Sequence, residues 1–226
     1  MFNEIEIKKL LDLNQTIAHA LFDNKRYPFE VLSEIQEYIL LLGNTLSAEE
    51  YHQVNHDIWI SKRAKVDQSA IIEGPTIIDH HAEIRPNAFI RGNTIIGQKA
   101  IVGNSSEIKN SILFNEAKVP HFNYIGDSIL GYKAHFGAGS ITSNVKSLKS
   151  NIILKINEEM IDTKLNKFGA IIGDEVEVGC NAVLNPGTII GRRSIIYPLT
   201  SVRGYIESDS ILKLSQEQKI IKKEER

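Results

Sequence analysis

The sequence predicts a mainly β protein, a left-handed parallel β-helix, and two periodic features carry that prediction. An aliphatic or aromatic residue recurs at every sixth position in the series Ile60, Val66, Ile72, Ile78, Ile84, Ile90, Ile96, Val102, Ile108 and Phe114. Four residues after most of these stands a small side chain, at Ala64, Ala70, Thr76, Ala82, Ala88, Thr94, Ala100 and Ser106. A strict period of six fits neither a helix nor an exposed strand. It fits hexapeptide repeats, in which three short strands form one triangular coil and the coils stack around a single core.

The residues before the first hexad have helical spacing. The series Ile5, Ile7, Leu10, Leu11, Leu13, Ile17 and Leu21 predicts an amphipathic helix. A second helix is predicted between Pro28 and Gly43, and Ser47 with Glu50 resembles a capping box that would open a short third helix. Because the open ends of a solenoid need covering, we expect residues 1–57 to form a helical cap, or else an extension that packs on a neighbouring molecule.

The repeat resumes after an irregular step and is then interrupted. Leu130 and Phe136 follow Ile125 after a step of five residues, and a second regular series runs through Ile172, Val178, Leu184, Ile190, Ile196 and Val202. Between these two stretches the spacing fails and lysines are frequent, which predicts an extruded loop or small hairpin over residues 145–168. We therefore expect a β-helix domain over residues 58–207 and a C-terminal helix over residues 208–226.

Composition and charge narrow the class of protein. The chain has 226 residues, is 42% hydrophobic and carries a formal net charge of −2, so it can bury a sizeable core and has no basic field for nucleic acid. A single cysteine allows no internal disulfide and fits a reducing compartment. The N-terminus lacks the pattern of a secretion signal, and the longest apolar run, residues 38–42, is too short to cross a bilayer. We expect a cytoplasmic protein without nucleic-acid or membrane partners.

Two cations are predicted to stack on one face of the solenoid. Arg91 and Lys109 are 18 residues apart, which is one full coil of three hexads. Their side chains would then project from adjacent coils, about 5 Å apart. Two stacked cations make a site for a phosphate or a carboxylate. The alternative is an ordinary solvated charged face.

A histidine stands where the repeat breaks. His121 follows Pro120 and precedes Asn123 and Tyr124, a setting that suits a polar cleft better than a core. An imidazole can act as a general base near neutral pH, although a lone histidine is more often structural. The glycine-rich residues 137–139 either accommodate a narrow corner or let an extended ligand bond to backbone amides. No pair of histidines has close ligand spacing on one strand, so no metal site is expected.

The stretch around these residues resembles a known family. The matching segments are Arg91-Gly92, Glu107-Ile108-Lys109, Pro120-His121-x-x-Tyr124-x-Gly126-Asp127, Gly137-Ala138-Gly139-Ser140-Ile141-Thr142-x-Asn144 and residues 166–174. They resemble hexapeptide-repeat acyltransferases, and in particular the acetyltransferase domain of bifunctional UDP-N-acetylglucosamine pyrophosphorylase/glucosamine-1-phosphate N-acetyltransferases. They are also similar to the archaeal sugar-1-phosphate nucleotidylyltransferases. The resemblance covers about residues 60–205.

The resemblance implies an activity and a set of site residues. The activity is acetyl transfer from acetyl-CoA, as co-substrate, to the amine of an amino-sugar 1-phosphate, a step of UDP-N-acetylglucosamine biosynthesis. By the same resemblance, His121 corresponds to the catalytic base. The sugar phosphate would be bound by Arg91, Lys109, Tyr124, Asn144 and Lys167, and the cofactor by Ala138, Cys180 and Pro198. The Cys180 position is one whose backbone N–H faces the thioester oxygen, and the family implies a homotrimer with clefts between neighbouring prisms.

The sequence also departs from the family pattern. Val145 stands where the bacterial proteins have a tyrosine, and the long loop leaves the phosphate-contacting lysine open between Lys149 and Lys167. Residues 1–60 contain no glycine-rich nucleotide fingerprint, so pyrophosphorylase activity is not expected of this chain and a separate nucleotidyltransferase would be a possible partner. Two alternatives stay open: acyl transfer to another amine, such as a nucleotide-linked sugar, and a non-catalytic trimeric module that binds sugar phosphates or nucleotide sugars.

Overall fold

The chain folds as a parallel β-helix. A computed structural model describes residues 2–148, 150–156 and 159–215. Three sheet faces wind around one apolar core, and the face with eight strands marks eight coils. The predicted fold class, a mainly β hexapeptide-repeat β-helix, is confirmed.

The secondary structure consists of short helical pieces followed by short strands. In the described residues, the helices are α1 (Ile7–Leu10) and α2 (Ile35–Gly43), with 3₁₀ turns at Asn3–Ile5, Leu13–Gln15, His19–Phe22 and Pro28–Val31. The strands are β1 (Tyr51–Val54), β2 (Ile58–Ser61), β3 (Lys65–Val66), β4 (Ile71–Glu73), β5 (Thr76–Ile78), β6 (Glu83–Ile84), β7 (Phe89–Arg91), β8 (Thr94–Ile96), β9 (Ile101–Asn104), β10 (Glu107–Leu113), β11 (Lys118–His121), β12 (Tyr124–Leu130), β13 (His135–Phe136), β14 (Ile141–Thr142), β15 (Ile153–Ile156), β16 (Glu159–Asp162), β17 (Ala170–Ile172), β18 (Glu177–Val178), β19 (Val183–Leu184), β20 (Thr188–Ile190), β21 (Ile195–Ile196), β22 (Ser201–Val202), β23 (Tyr205–Ile206) and β24 (Ile211–Leu212).

The strands form three faces of a prism. Face A contains β2, β5, β8, β17, β20 and β23, with residues 111–113 and 128–130. Face B is the eight-stranded sheet of β3, β6, β9, β11, β13, β18, β21 and β24. Face C contains β4, β7, β14, β19 and β22, with residues 107–109 and 124–126. Apart from Phe114, the hexad hydrophobes point inward on all three faces, as Ile96 (0% exposed) on face A, Ile84 (1%) on face B and Ile90 (0%) on face C illustrate.

Two steps between successive inward residues, Ile108 to Leu113 and Ile125 to Leu130, are five residues long instead of six. Leu113 pairs with Ile96 below and Leu130 above and lies in the solenoid core, so the step from Ile108 is five residues. The neighbouring Phe114 turns out of the prism, where its ring lies 5.9 Å from that of Phe22. The interpretation of Phe114 as an inward residue was therefore wrong. The pattern could not separate it from Leu113, because both side chains are large and apolar.

Face A is covered by the chain's own N-terminal segment, residues 2–50. The outward side chains of this face are Trp59, Ile77, Ile95, Ile112, Ile129, Ile171 and Ile189, and they share one buried cluster with the apolar side chains of the segment. Backbone bonds fasten the segment, from Asn115 N to Gln15 O (2.9 Å) and from Asp174 N to Leu10 O (3.0 Å). Residues 2–50 thus lie along the side of their own solenoid, and β1, which follows them, pairs with β2, the first strand of the solenoid, in antiparallel register. The cap or extension role of residues 1–57 stays a prediction.

The helices of this segment are shorter than predicted. Where one helix was expected over residues 5–21, α1 has four residues and is followed by 3₁₀ turns. The carbonyls of Leu10 and Gln15 accept hydrogen bonds from the solenoid, which a continuous helix would have used internally. The second helix ends at Gly43 as predicted but begins at Ile35, and the third is only a turn, since Ser47 O accepts from the Glu50 and Tyr51 N–H groups before β1 begins.

The predicted interruption is a hairpin. Strands β15 and β16 pair in antiparallel register, and Phe168 N donates to Asn144 O (3.0 Å) at the base of the excursion. Ile152, Leu154 and Ile156 are buried in the cluster over face A. The hairpin and the N-terminal segment together cover this face.

The solenoid continues further than predicted. Strand β24 pairs with β21 in parallel register, so the helix expected from residue 208 is wrong for residues 208–215, and residues 216–226 lie outside the described part. None of the described helices has the length and apolar character needed to cross a membrane.

Candidate functional site

The predicted catalytic and cofactor-binding residues stack in a single line. His121, Ala138, Cys180 and Pro198 each lie two residues after the inward hydrophobe of a face B strand, at the corner where face B turns into face C. The backbone bonds Gly139 N to His121 O (3.1 Å), Asn181 N to Ala138 O (2.9 Å) and Leu199 N to Cys180 O (3.0 Å) link successive coils. We call these four residues the corner column. Its members are about 4.8 Å apart from coil to coil.

The corner column is open to solvent. His121, Cys180 and Pro198 are exposed and Ala138 is half-buried. Among the described residues, the N–H groups of Ala138 and Cys180 donate to no protein acceptor. Two backbone donors and one imidazole thus face the same strip of solvent, and such donors can hold the carbonyl oxygens of an extended ligand.

The turn after His121 is held by a buried asparagine. Asn123 Oδ1 accepts from His121 N (3.0 Å), and Asn123 Nδ2 donates to Gly137 O (2.8 Å) and Ser140 O (3.1 Å). These bonds fix the backbone beneath the imidazole. In the part of the chain that the structure describes, the imidazole itself has no side-chain partner.

Arg91 in β7 and Lys109 in β10 stack on face C in the predicted register, since the residues just before them, Ile90 and Ile108, pair in parallel register. Their side chains differ in environment. Arg91 Nη1 donates to Glu107 Oε1 at 2.7 Å, and this carboxylate raises the pKa of the guanidinium. Lys109 is half-buried, and its ammonium group has no hydrogen bond or ion pair with any described residue. Lys109 is therefore the more available cation.

Tyr124 and Asn144 meet on the same face. Asn144 Nδ2 donates to Tyr124 Oη (3.3 Å), and burial, with smaller contributions from the Asp127 and Glu107 charges, raises the pKa of the phenol. Gly126 leaves room for this contact, because a Cβ there would lie 2.6 Å from Tyr124 Oη and 2.9 Å from Asn144 Nδ2.

A cavity of about 410 Å³ lies beside Asn144 at the base of the hairpin excursion. Its lining residues are Val145, Lys146, Leu148, Ser150, Asn151, Asn166 and Lys167. Lys146 Nζ donates to Ser150 Oγ (3.0 Å) and Asn151 O (3.1 Å). Of the two lysines between which the sequence left the phosphate contact open, Lys167 lines this cavity and Lys149 lies outside the described residues.

The structure thus arranges the predicted site residues in two groups. The first group is the corner column. The second group lies on and beyond face C and consists of Arg91, Lys109, Tyr124, Asn144 and Lys167. Their roles stay predictions. Sequence reasoning did not count Glu107, Asp127 or Lys146 as site residues; Glu107 and Asp127 were visible in the family-like segments, whereas Lys146 carried no signal. No group of three or more metal-ligating side chains occurs within the described ranges.

A family model settles the relationship of the chain. The model of the GMPPB C-terminal domain matches residues 72–196, which is slightly more than half of the sequence. The chain belongs to this family. The match includes His121, Asn144 and the hairpin excursion.

Curated relatives match about half of the chain. The Bifunctional protein GlmU of Methanococcus maripaludis strain C5 is 38% identical over 118 residues, which is 52% of this chain and 28% of that protein. The Bifunctional sugar-1-phosphate nucleotidylyltransferase/acetyltransferase of Sulfurisphaera tokodaii is 34% identical over 92 residues, 41% of this chain and 23% of that protein. The chain therefore matches less than a third of the length of these relatives.

Solved structures match the chain at low identity and low TM-score. The acetyltransferase domain of PglB from Neisseria gonorrhoeae is 17% identical, with 73% of this chain and 67% of that chain covered and a TM-score of 0.31. PerB from Caulobacter crescentus, solved with CoA and GDP-perosamine, is 17% identical, with 69% and 54% covered and a TM-score of 0.26. Similarities at this level carry no functional argument.

Proposed function

We propose that this chain is an acetyl-CoA-dependent N-acetyltransferase that acts on an amino-sugar 1-phosphate of the glucosamine-1-phosphate kind. The observation that carries the proposal is the corner column, in which the exposed imidazole of His121 is in line with the free N–H groups of Ala138 and Cys180. The 34–38% identity to bifunctional relatives whose names include an acetyltransferase or GlmU supports the same reaction class.

In this proposal the cofactor lies along the corner column. The pantetheine arm is an extended chain with amide groups, and stacked backbone donors about 4.8 Å apart suit such a ligand. Pro198 would line the far part of the arm, and the thioester would lie near Ala138 and His121. This arrangement needs backbone N–H groups and no particular side chain at Cys180.

The chemistry is an attack of the acceptor amine on the thioester carbonyl. His121 takes the proton of the attacking nitrogen as the C–N bond forms, which makes the amine a better nucleophile in the transition state. The N–H group of Ala138 or Cys180 stabilises the oxyanion of the tetrahedral intermediate. The intermediate collapses with cleavage of the C–S bond, and the CoA thiolate receives the proton from the imidazolium.

The acceptor would be held on face C. Lys109 is the cation free to pair with the phosphate, Lys167 approaches from the hairpin excursion, and Tyr124 and Asn144 supply neutral polar contacts to the sugar. Arg91 can contribute only by sharing its guanidinium with Glu107. Charge-assisted bonds of this kind are the strong ones in phosphate recognition.

A homotrimer is part of this proposal. Two large apolar residues next to the corner column, Phe122 (62% exposed, φ 52°) and Leu199 (66% exposed, φ 61°), combine solvent exposure with a left-handed backbone. Both features cost free energy in an isolated chain. A neighbouring prism packed at this corner would bury both side chains and close the cleft over the column. A fully active monomer in light scattering would contradict the trimer.

Two observations favour a second function. The imidazole of His121 has no orienting partner among the described residues, and Val145 stands where the bacterial proteins that the sequence resembles have a tyrosine. A trimeric module that binds a sugar phosphate or nucleotide sugar without turnover would have this appearance.

Release of free CoA separates the two functions. Acetyl-CoA is incubated with the protein and a panel of amino-sugar phosphates, and the thiol is followed with a disulfide reagent. The enzyme predicts saturable, acceptor-dependent release. Calorimetric binding of an amino-sugar phosphate with no thiol release would instead favour the binding module.

A further inference from the structure

A buried carboxylate lies directly behind the candidate acceptor site. Asp127 is 5% exposed and stands at a corner with a left-handed backbone (φ 47°). Asn110 Nδ2 donates to Asp127 Oδ1 at 2.9 Å, and Asn144 Nδ2 makes a short contact with Asp127 Oδ2. Among the described residues these two carboxamides are its only side-chain partners, and no cation forms an ion pair with it. A buried carboxylate without a cation is costly, so its presence calls for an explanation.

The carboxylate determines which way Asn144 is oriented. A carboxylate can only accept hydrogen bonds, so the group that faces Asp127 must be the Asn144 amide nitrogen and not its oxygen. The second hydrogen of that nitrogen is directed at Tyr124 Oη, 3.3 Å away. Asn144 Oδ1 therefore has no protein donor among the described residues and is free to accept a hydrogen bond from a ligand.

The same carboxylate connects the site to the N-terminal segment. Asn110 Nδ2 also donates to Leu32 O at 3.2 Å, and Leu32 is buried in the cluster over face A. A continuous hydrogen-bond chain thus leads from Leu32 through Asn110 and Asp127 to Asn144. Loss of the central carboxylate would leave both carboxamides without their shared acceptor.

We infer that Asp127 is a positioning residue for the acceptor site: its buried carboxylate holds Asn144 with the amide nitrogen inward and the oxygen outward, so that the site selects an acceptor that donates a hydrogen bond, through a hydroxyl or an ammonium group. The inference rests on the proposed function for the identity of the acceptor. Asp127 does not touch the acceptor and acts through Asn144.

The substitution Asp127→Asn tests this role with little change in volume. An asparagine can present its own N–H₂ group toward Asn144 and so removes the reason for the Asn144 orientation. We expect the KM for the amino-sugar phosphate to rise about 10- to 100-fold, the size of a lost hydrogen bond to a charged group. The KM for acetyl-CoA should stay the same, because the corner column lies at a different corner.

Asp174→Asn is the matched control. Asp174 is also buried (6% exposed) and accepts the backbone N–H groups of Asp12 and Tyr132, at 2.8 Å each. Unlike Asp127 it has an ion pair, with Arg192 at 3.0 Å, and it faces the N-terminal segment and not the candidate site. This variant should lower the melting temperature and leave the acceptor KM unchanged. Equal effects of the two variants on the acceptor KM would mean that any weakened buried carboxylate disturbs the site, and would overturn the inference.

A double-mutant cycle with Asn144→Ala measures the coupling between Asp127 and Asn144. A purely structural role of Asp127 would give no such coupling. If Asp127 acts through Asn144, Asp127→Asn should have almost no further effect on kcat/KM in the Asn144→Ala background. Additive effects would contradict the inference while leaving the proposed function intact. If the wild-type protein binds the amino-sugar phosphate without turnover, the same cycle is carried out with dissociation constants in place of kcat/KM. That outcome would contradict the proposed activity but not the role of Asp127.

Hydrogen exchange of the Asn144 side-chain amide, followed by NMR spectroscopy, tests the same contact without any ligand. The Asn144 side-chain amide, assigned by its absence in Asn144→Ala, should exchange its hydrogens slowly in the wild-type protein and rapidly in Asp127→Asn. Fast exchange in the wild-type protein would overturn the inference whatever the protein binds.

Discussion

His121 and Cys180 lie on the same corner of the solenoid, two coils apart, with Ala138 on the coil between them. The separation is about 10 Å along the axis. A candidate base and two free backbone donors therefore share one line, and this line is the axis of the proposed cofactor site.

The thiol of Cys180 should report on the cofactor. It is exposed and lies in the corner column, so a bound pantetheine arm would cover it. We expect acetyl-CoA to slow the alkylation of Cys180 by N-ethylmaleimide, while the amino-sugar phosphate alone leaves the rate unchanged. Cys180→Ala should keep its activity, because the proposed contact uses the backbone N–H group. An alkylation rate that does not respond to saturating acetyl-CoA would place the cofactor elsewhere.

Lys109→Ala should weaken acceptor binding. The ammonium has no protein partner in the described residues, so its loss removes a charge-assisted bond to the phosphate, worth about 1.5–3 kcal/mol. This corresponds to a rise in KM of about 10- to 150-fold with kcat nearly unchanged, provided the contact is equal in ground and transition states. Lys65→Ala, on an exposed strand of the first coil, is the control and should change neither constant. A fall in kcat at constant KM would contradict a binding role.

Ile96→Ala should destabilise the solenoid by about 2–5 kcal/mol, because Ile96 is fully buried between coils and its truncation leaves a cavity. Ile71 is 60% exposed on face C, and its replacement by alanine should cost far less. Urea unfolding followed by circular dichroism gives both values. Similar losses for the two variants would contradict the inward and outward assignment of the hexad positions.

The pKa of Tyr124 is raised by burial first and by the Asp127 and Glu107 charges next. The neutral phenol is therefore favoured, and any stability or binding that depends on it is fully present below the ordinary value of about 10 and is lost only as the pH rises above it. We expect Tyr124→Phe to raise the acceptor KM without moving the pH profile between pH 6 and 9.5. An alkaline limb within that range that disappears in Tyr124→Phe would contradict the direction of the shift.

The fold was predictable because the hexad rule acts locally on every coil. The role of the N-terminal segment was harder to foresee, although the sequence contains an indication of it. Along face A the outward residue of each coil is apolar, as at Ile77, Ile95 and Ile129, whereas the other two faces mix isoleucines with charged residues, so face A needs a cover. The extent of the solenoid past residue 207 was missed because Ile211 and Leu212 suit a helix as well as a strand.

The candidate site was predictable in outline only. An 18-residue coil was enough to stack Arg91 over Lys109, since the chain between them is regular. The spacing could not show that the Arg91 guanidinium bonds to Glu107, because the partner of a surface arginine depends on side-chain rotamers. The contact of Asp127 with Asn144 depends on coils of irregular length and on the corner geometry, which the spacing alone does not contain.

Single-turnover acetyl transfer by wild-type protein and by His121→Ala tests the central claim most directly. His52→Ala, an exposed histidine of β1, serves as the control. If His121 is the general base, its loss should lower the single-turnover rate constant by about 10²- to 10⁴-fold and leave the acceptor dissociation constant nearly unchanged. A His121→Ala variant as active as the His52→Ala control would contradict the account.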